Sequence, residues 1–288
     1  MDILPQLIIN SIIAGAIYTL IALGFNLIYG ATKFFNLAHG VMAAVGGYSV
    51  FYFAKTLGLD IYLAAVIGVL ITGLVGYGLD RLVYSPLRKR KASNMVLLVA
   101  SLGAFTAIQA IIAILFTSQF KTLSQGVGTQ RIFEVFGGVI TQTQIIIILA
   151  AILVMVGLVL LLYKTQLGKA VRAISDDEEV ARIVGINTNK VISYTFFIGS
   201  AIAGLAGILV GFDTGIEPTM GLSLLLKGVI ASIVGGIGNI YGGVFGAFLL
   251  GFVENFGIWK ISGEWKDAIA FALLIIFLIF RPKGIMNK

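Results

Sequence analysis

The sequence predicts an all-α membrane protein, a polytopic helical bundle, and three observations lead to that prediction. Hydrophobic residues make up 59% of the chain and charged residues only 11%. The mean hydropathy is +1.04, far above that of soluble domains. Apolar stretches of at least ~18 residues, long enough to cross ~30 Å of hydrocarbon as helix, recur along the whole chain. Because every backbone amide in lipid needs an internal partner, these stretches are expected to be helices.

The apolar runs divide the chain into about eight transmembrane segments, which we expect to form a single transmembrane domain, 1–288. The runs fall at 7–29, 34–54, 61–83, 95–117, 142–163, 191–211, 222–256 and 268–281. The seventh run is too long for one crossing and contains five glycines within 235–243. Each glycine weakens a helix by about 1 kcal/mol relative to alanine. The sequence therefore predicts a broken segment at 222–256, either re-entrant or two short passes.

Basic residues predict the orientation of the bundle in a cell (inner, cytoplasmic) membrane. The linker 84–94 contains Arg88–Lys91, four basic residues in succession, and short basic loops remain in the cytoplasm. Counting outward from this linker places 164–190 and the C-terminus inside and the N-terminus outside. The net charge of +7 is explained by these loops. No basic stripe interleaved with aromatic residues appears, so we expect lipid and not nucleic acid as a partner.

An acidic segment interrupts this basic cytoplasmic loop. Four acids, Asp176–Glu179, follow Ser175, and Ser175 with Glu178 has the spacing of a capping box. The sequence predicts a short helix over 176–184, with the acids in its first turn where the helix dipole favours negative charge. Gly185 is expected to end it in the left-handed conformation.

The predicted short helix presents Val180, Ile183 and Val184 as one apolar stripe. One interpretation places this stripe on lipid with the acids solvated. A helix on the anionic inner leaflet usually carries Lys and Arg on its polar face, and four acids oppose that arrangement. The alternative is a protein partner with a groove for a short helix, which the composition favours.

A second irregular region, 34–50, contains the only histidine of the chain. Polar residues inside a membrane are costly and tend to serve function, and transporters place substrate sites at interrupted helices. This region and the break in 222–256 therefore supply candidate residues of a substrate pathway: Asn36, His39, Gly40, Gly235, Gly236 and Asn239. The alternative for His39 is a hydrogen-bonded structural histidine at the start of a helix. A single histidine without any cysteine predicts no metal site.

Three other charged residues lie in or near the apolar runs. We expect Lys227 to snorkel to an interface, and Asp80 and Arg81 to form a pair or to snorkel at the inner end of the third helix.

Several stretches resemble one family of transport proteins. EVARIVG, 179–185, resembles the E-A-A-x-x-x-G loop of bacterial ABC importer permeases, with Val180 at the first alanine and no Leu-Pro downstream. LGKAVRAISDDEEVARIVGINTNKV, 167–191, looks like the coupling loop of the LivH-type permeases for branched-chain amino acids. IYTLIALGFNLIYG (17–30), FFNLAHG (34–40) and IVGGIGNIYGGVFGA (233–247) also match at the family's spacing.

The resemblance implies a membrane permease subunit of an ABC importer for branched-chain or other amino acids. It implies a second, LivM-like permease subunit, two cytosolic ATPase subunits and an extracytoplasmic solute-binding protein. ATP and Mg would bind the ATPases, so no cofactor is expected on this chain, and the chain itself is not expected to be an enzyme. The implied ATPase-coupling residues are Arg172, Asp176, Glu179, Val180, Ala181, Arg182, Ile183, Val184 and Gly185.

Two other classes of protein fit the sequence less well. An ion-coupled secondary transporter or channel is compatible with broken helices, but it would be expected to carry more intramembrane carboxylates than Asp80 and Glu254. An integral-membrane enzyme would need a cluster of His, Asp or Cys, which one histidine and no cysteine do not provide. The sequence also contains no G-x-x-x-x-G-K-[ST] phosphate-binding loop.

Overall fold

The fold is a bundle of helices with one short β-hairpin, given by a computed structural model that describes residues 3–124 and 131–286. In that part of the chain the helices are α1 Ile3–Thr32, α2 Ala38–Val50, α3 Ile61–Leu79, α4 Ser85–Lys89, α5 Asn94–Phe116, α6 Gln142–Lys164, α7 Gln166–Asp176, α8 Glu178–Ile183, α9 Thr188–Asp213, α10 Met220–Gly235, α11 Ile240–Gly257 and α12 Lys266–Phe280. The π-helical turns Phe51–Thr56 and Asp80–Tyr84 extend α2 and α3, and 3-10 turns occupy Ile258–Lys260 and Gly263–Trp265.

The predicted all-α membrane bundle is confirmed. Six of the described helical segments are long and apolar enough to cross a membrane: Ile3–Thr32, Ile61–Lys89, Asn94–Phe116, Gln142–Lys164, Thr188–Asp213 and Ile240–Lys260. Helix α10 is shorter but apolar. The two other predicted runs are also helical, as α2 with its π turn and as α12, whose 15 residues span about 22 Å at ~1.5 Å per residue.

The bundle has an inner and an outer set of helices. In α1 and α9, 61% and 67% of the most apolar stretch is buried, against 22% and 17% in α5 and α6. Helix α1 packs against α9, α10 and α11, while α2, α3 and α9 all pack against one another. The outer helices expose aliphatic side chains along most of their length, as helices that face lipid or a partner subunit do.

Small residues allow the inner helices to approach closely. The Cα of Gly207 in α9 faces the Ala43 carbonyl of α2 so closely that a β-carbon would overlap it. One turn away, Gly46 faces Gly204 in the same manner. Without a strong hydrophobic force between helices in lipid, such close contact supplies the packing that holds α2 in place.

The predicted break in 222–256 is confirmed. Helix α10 ends at Gly235 and α11 begins at Ile240, and Gly236 between them has φ +116°, a conformation that suits glycine. The C-terminal segment meets this break, since Ile285 N donates to Val234 O (3.0 Å) and Met286 N to Gly235 O (2.9 Å). The break therefore lies at the level where α12 ends. This arrangement favours two short antiparallel passes, of about 24 and 27 Å, over a re-entrant loop at mid-membrane.

The β-hairpin lies in the segment that the sequence indicated only as a loop. Strands β1 (Ile132–Val135) and β2 (Gly138–Thr141) pair antiparallel, with Ile132 opposite Thr141. Gln6 of α1 binds the hairpin through both backbone groups of Val139, at 2.7 and 3.1 Å. The hairpin is thereby attached to the end of the bundle where the chain begins.

Candidate functional site

The acidic segment forms two helices in succession, and the second differs from the prediction. Helix α7 is capped by Thr165, whose hydroxyl accepts from Gly168 N (3.0 Å), and it buries Val171 and Ile174 against the bundle. The backbone is extended at Asp177, and α8 begins there. Residues 164–190 are therefore more helical than the single short helix that was predicted.

The predicted capping box at Ser175 and Glu178 is wrong. Ser175 lies in the last turn of α7, with its hydroxyl 3.5 Å from Lys33 Nζ. Asp177 is the N-cap, because its Oδ1 accepts from Glu179 N (2.8 Å) and Val180 N (3.0 Å). Helix α8 is also shorter than the predicted 176–184. Serine and aspartate are both typical N-cap residues. Of Ser175 and Asp177, only Asp177 has the extended backbone that an N-cap needs, because Ser175 is still helical.

The predicted end of α8 is confirmed. Gly185 has φ +89°, Gly185 N donates to Arg182 O (3.1 Å), and Ile186 N donates to Ala181 O (3.0 Å). This pattern of bonds satisfies the last carbonyls of the helix as in a Schellman cap. Only a residue that tolerates a positive φ fits this position without strain. The chain then turns directly into α9, whose first turn is capped by Asn187.

The apolar stripe of α8 faces away from the bundle. Val180, Ile183 and Val184 are 55%, 83% and 69% exposed, and Ala181 is buried beneath them. Of the nine residues implied in coupling, all except Ala181 are exposed: Arg172, Asp176, Glu179, Val180, Arg182, Ile183, Val184 and Gly185. A contiguous exposed patch of aliphatic side chains rimmed by charges is typical of a protein-binding surface.

The charges around the stripe are mostly free of the bundle. Glu178 pairs with Arg182 at 2.8 Å, an exposed i,i+4 pair on α8. Arg172 of α7 lies over the Tyr163 ring, 4.8 Å from its centroid. Asp176 and Glu179 are exposed. The surface thus combines an aliphatic stripe with an acidic edge, which complements a partner groove that has an apolar floor and basic or polar walls.

The predicted pathway residues of the first irregular region are buried at the junction of α1, α2 and α5. Asn36 Oδ1 accepts from Ala38 N (3.1 Å) and from the Tyr84 hydroxyl (3.0 Å). His39 is fully buried, and its Nε2 lies 3.2 Å from Ile21 O. A carbonyl oxygen only accepts, so Nε2 carries the proton. Nδ1 has no hydrogen-bond partner among the described residues.

Gly40 forms the tight contact between α2 and α10. Its Cα packs against the carbonyl of Gly221, and a side chain at position 40 would overlap that carbonyl. Since His39 also packs against Gly24 of α1, the start of α2 is fixed between two neighbouring helices.

The pathway residues of the second region form the break between α10 and α11. Gly235 packs on Gly242, and Asn239 caps α11 by accepting from Gly242 N (3.2 Å) while donating to Met286 O (2.9 Å). Asn26 of α1 bridges the same break, accepting from Gly238 N (3.0 Å). Asn239 bonds to α11 and to the C-terminal segment, whereas Asn36, His39 and Gly40 contact α3, α1 and α10, so the two groups form separate places in the described structure. Their role in a substrate pathway stays a prediction.

The structure adds buried charge clusters whose pairing the sequence did not indicate. The expectation that Lys227 snorkels is wrong: it is 7% exposed, with Nζ 2.5 Å from Glu254 Oε1 and 2.7 Å from Asp267 Oδ1. The Tyr18 hydroxyl donates to Glu254 Oε2 (2.7 Å). Removing a charged group from water is expensive unless it is paired and hydrogen-bonded, and here partners from four helices supply that pairing.

The second cluster lies at the C-terminal end of α3. Asp80 pairs with Arg88 at 2.7 Å, and not with Arg81, while the Ser193 hydroxyl donates to Asp80 Oδ2 (2.6 Å). Arg81 is exposed and contacts the Tyr77 hydroxyl at 3.2 Å. The pairing explains how an acid at the end of a membrane helix is accommodated, and it joins the basic linker to α9.

A bundle of long apolar helices with an exposed, doubly capped helix at one end is the architecture of a polytopic membrane protein that offers a surface to a partner. The comparisons with known proteins agree. The family model described as "Branched-chain amino acid transport system / permease component" matches residues 7–278. The chain belongs to this family, and the predicted function, the permease subunit of an importer of the LivH type, is confirmed at that level.

Individual relatives resemble the chain over its whole length. The permease protein BraD of the high-affinity branched-chain amino acid transport system of Pseudomonas aeruginosa is 35% identical over 98% of this chain and 95% of that protein. LivH of Escherichia coli is 32% identical with the same coverage. A probable LivH of Methanocaldococcus jannaschii is 30% identical over 96% of this chain and 90% of that protein. No solved structure gave a significant match.

Proposed function

We propose that this chain carries branched-chain amino acids into the cell as one permease subunit of an ABC importer, driven by ATP hydrolysis in separate cytosolic subunits. The observation that carries the proposal is α8, a helix capped at both ends whose aliphatic stripe faces away from the bundle. The relatives are named as branched-chain amino acid permeases, which supports the same cargo here.

The proposed mechanism is alternating access. An ATPase groove holds the α8 stripe, and closure of the two ATPases moves α8 together with α7, because the two helices are joined through Asp177 and contact each other. Helix α7 buries Val171 and Ile174 against α6, α1 and α9, so the movement is transmitted to the inner helices. ATP and Mg bind the ATPases, and this chain supplies no group to the hydrolysis step.

The remaining partners and the orientation are part of the same proposal. A second, LivM-like permease completes the membrane unit, and an extracytoplasmic binding protein delivers the amino acid. Helix α8 must face the compartment that contains ATP, which is also where the basic linker at Arg88–Lys91 is expected to remain. The N-terminus and the β-hairpin would then lie on the outer face and the C-terminus in the cytoplasm.

The test is uptake of radiolabelled leucine by the reconstituted complex, with ATP inside the vesicle and loaded binding protein outside. Ile183→Asp, which places a charge on the most exposed residue of the stripe, should reduce ATP-driven uptake by at least about tenfold, because a charge desolvated in a partner groove costs more than ~1.4 kcal/mol. Gln166→Asp is the matched control, since it adds the same charge to exposed α7 outside the stripe.

Two results would contradict the proposal. Uptake that needs no ATP and follows an imposed sodium or proton gradient would identify the alternative, an ion-coupled secondary transporter. Normal ATP-driven uptake by the Ile183→Asp complex would show that α8 does not couple the ATPase to the bundle.

A further inference from the structure

A cavity of about 240 Å³ lies between α10 and α12, at the ends of these helices that are remote from the break. Polar side chains line one part of the cavity, and apolar side chains line the rest. The polar groups belong to Thr219, Ser223, Lys227 and Asp267, and Leu226 and Phe271 contribute to the apolar walls. None of these residues was indicated as part of a pathway by the sequence.

The two charges of the cavity differ in how firmly they are held. The Lys227 side chain is 9% exposed and contacts both Glu254, which is fully buried, and Asp267, which is 70% exposed. Glu254 is further fixed by the Tyr18 hydroxyl. Lys227 with Glu254 is therefore a rigid, buried pair. Asp267, at the first turn of α12, is the partner that can move into solvent without leaving a buried charge behind.

This arrangement fits a ligand that carries both charges. A carboxylate that replaces Asp267 on the Lys227 ammonium leaves the Asp267 carboxylate free to accept a ligand ammonium. The cluster is neutral overall, because Lys227 and Lys266 (4.0 Å from Glu254) balance Glu254 and Asp267. A zwitterion preserves that balance, whereas a ligand with a single charge leaves one charge uncompensated where water is scarce.

The size of the cavity fits the same kind of ligand. At ~30 Å³ per water, 240 Å³ corresponds to roughly eight water molecules, and pockets for drug-sized ligands begin at about 300 Å³. A small amino acid therefore fills it. The wall formed by Leu226 and Phe271 would remove an aliphatic side chain from water, at about 25 cal/mol per Å² of apolar surface.

We propose that this cavity binds an aliphatic amino acid as a zwitterion, with Lys227 holding its carboxylate, Asp267 its ammonium, and the walls near Leu226 and Phe271 its side chain. This rests on the proposed function and adds to it a substrate site on the permease itself. In the proposed orientation, the site lies in the outer half of the membrane.

Substrate protection of a single introduced cysteine tests the proposal. The chain contains no cysteine, so alkylation of the Ser223→Cys variant, measured on this subunit after it is separated from the others, reports on the cavity alone. Ser262→Cys, in the exposed loop before α12, is the matched control. The binding protein is left out so that its docking cannot block the reagent. With leucine at ten times its Kd, alkylation of the Ser223→Cys complex should slow by about tenfold, and that of the Ser262→Cys complex should not change.

The chemistry of the site is tested in the same assay. Isocaproate lacks the ammonium and isoamylamine lacks the carboxylate of leucine, so neither should protect. Adding Asp267→Asn should abolish protection by leucine, whereas Glu264→Gln, an exposed acid on the neighbouring turn, should leave it intact. Equal protection by either analogue, or full protection in the Asp267→Asn variant, would overturn the proposed ligand geometry.

Uptake by the same cysteine variants, with binding protein and ATP restored, separates this inference from the proposed function. Leucine transport together with an unprotected cysteine at position 223 would overturn the site and leave the function standing. Failure of the complex to transport any branched-chain amino acid would overturn the function itself.

Discussion

The carboxylates of α8 and the carboxylate of α11 lie in opposite environments, one exposed to solvent and the other buried. Glu178 and Glu179 lie at the surface, near basic side chains of the same segment, and the one ion pair they form is local and exposed. Glu254 is fully buried and is held by Tyr18 and Lys227, which belong to two other helices. The first arrangement leaves a surface available to a partner. The second uses a charged group to fix the mutual positions of inner helices.

The difference shows where a charged residue of this permease can be replaced with little loss of stability. In α8, water solvates any charge that loses its partner. Among α1, α10 and α11, loss of Lys227 leaves the buried Glu254 with no closer cation than Lys266, which is 4.0 Å away and partly exposed. We therefore expect substitutions in the two regions to differ in size and in their response to salt.

The largest effect is expected for Lys227→Met, which leaves Glu254 without its 2.5 Å cation. Breaking a buried pair on one side costs about 3–5 kcal/mol, so unfolding of the detergent-solubilised subunit should begin at a much lower denaturant concentration or temperature. Combining Lys227→Met with Glu254→Gln removes both charges and should recover most of the loss. Equal stability of the single and the double variant would show that the pair does not stabilise the bundle.

The same contrast explains how much could be predicted from the sequence. The helices and the break at Gly235–Gly243 follow from composition and glycine spacing, and Gly185 as a helix end follows from its neighbours. The partners of Glu254 could not be predicted, because Tyr18 lies 236 positions away and nothing in either local sequence refers to the other. The prediction that Lys227 snorkels was wrong for the same reason. Snorkelling is expected of an isolated lysine, whereas the partners of Lys227 are contributed by other helices.

The error at Ser175 has a different origin. The sequence contains two adequate N-caps two residues apart, Ser175 and Asp177, and local spacing favoured the first. The choice was decided by α7, which buries Ile174 and so continues through Ser175. A tertiary contact thus overrode a local capping motif, as burial of an apolar face commonly does for short helices.

An intermediate effect is expected for Asp177→Ala. Losing the two hydrogen bonds to Glu179 N and Val180 N should destabilise α8 by about 1 kcal/mol, roughly a fivefold rise in amide exchange over α8. Hydrogen exchange by mass spectrometry on the two-permease unit, without ATPases, measures it. Asp176→Ala removes the same charge without a cap and is the control. If Ser175→Ala gave the larger rise instead, the assignment of the cap would be wrong.

The smallest effect is expected for Arg182→Gln, which removes the exposed pair with Glu178. Pairs of this kind at i,i+4 contribute about 0.3–0.5 kcal/mol. Amide exchange over α8 should therefore rise by less than about threefold. In ~1 M salt, where the screening length falls to ~3 Å, the difference between variant and parent should vanish. The Lys227→Met difference should persist in the same salt, because its charges are shielded from solvent ions.

Lys190→Gln, an exposed cation in the same segment that makes no ion pair in the described structure, controls for the change in net charge. An Arg182→Gln effect that survives high salt would mean that Arg182 stabilises α8 through packing of its side chain and not through the exposed pair with Glu178, and the surface of α8 would then be less free for an ATPase than its exposure indicates.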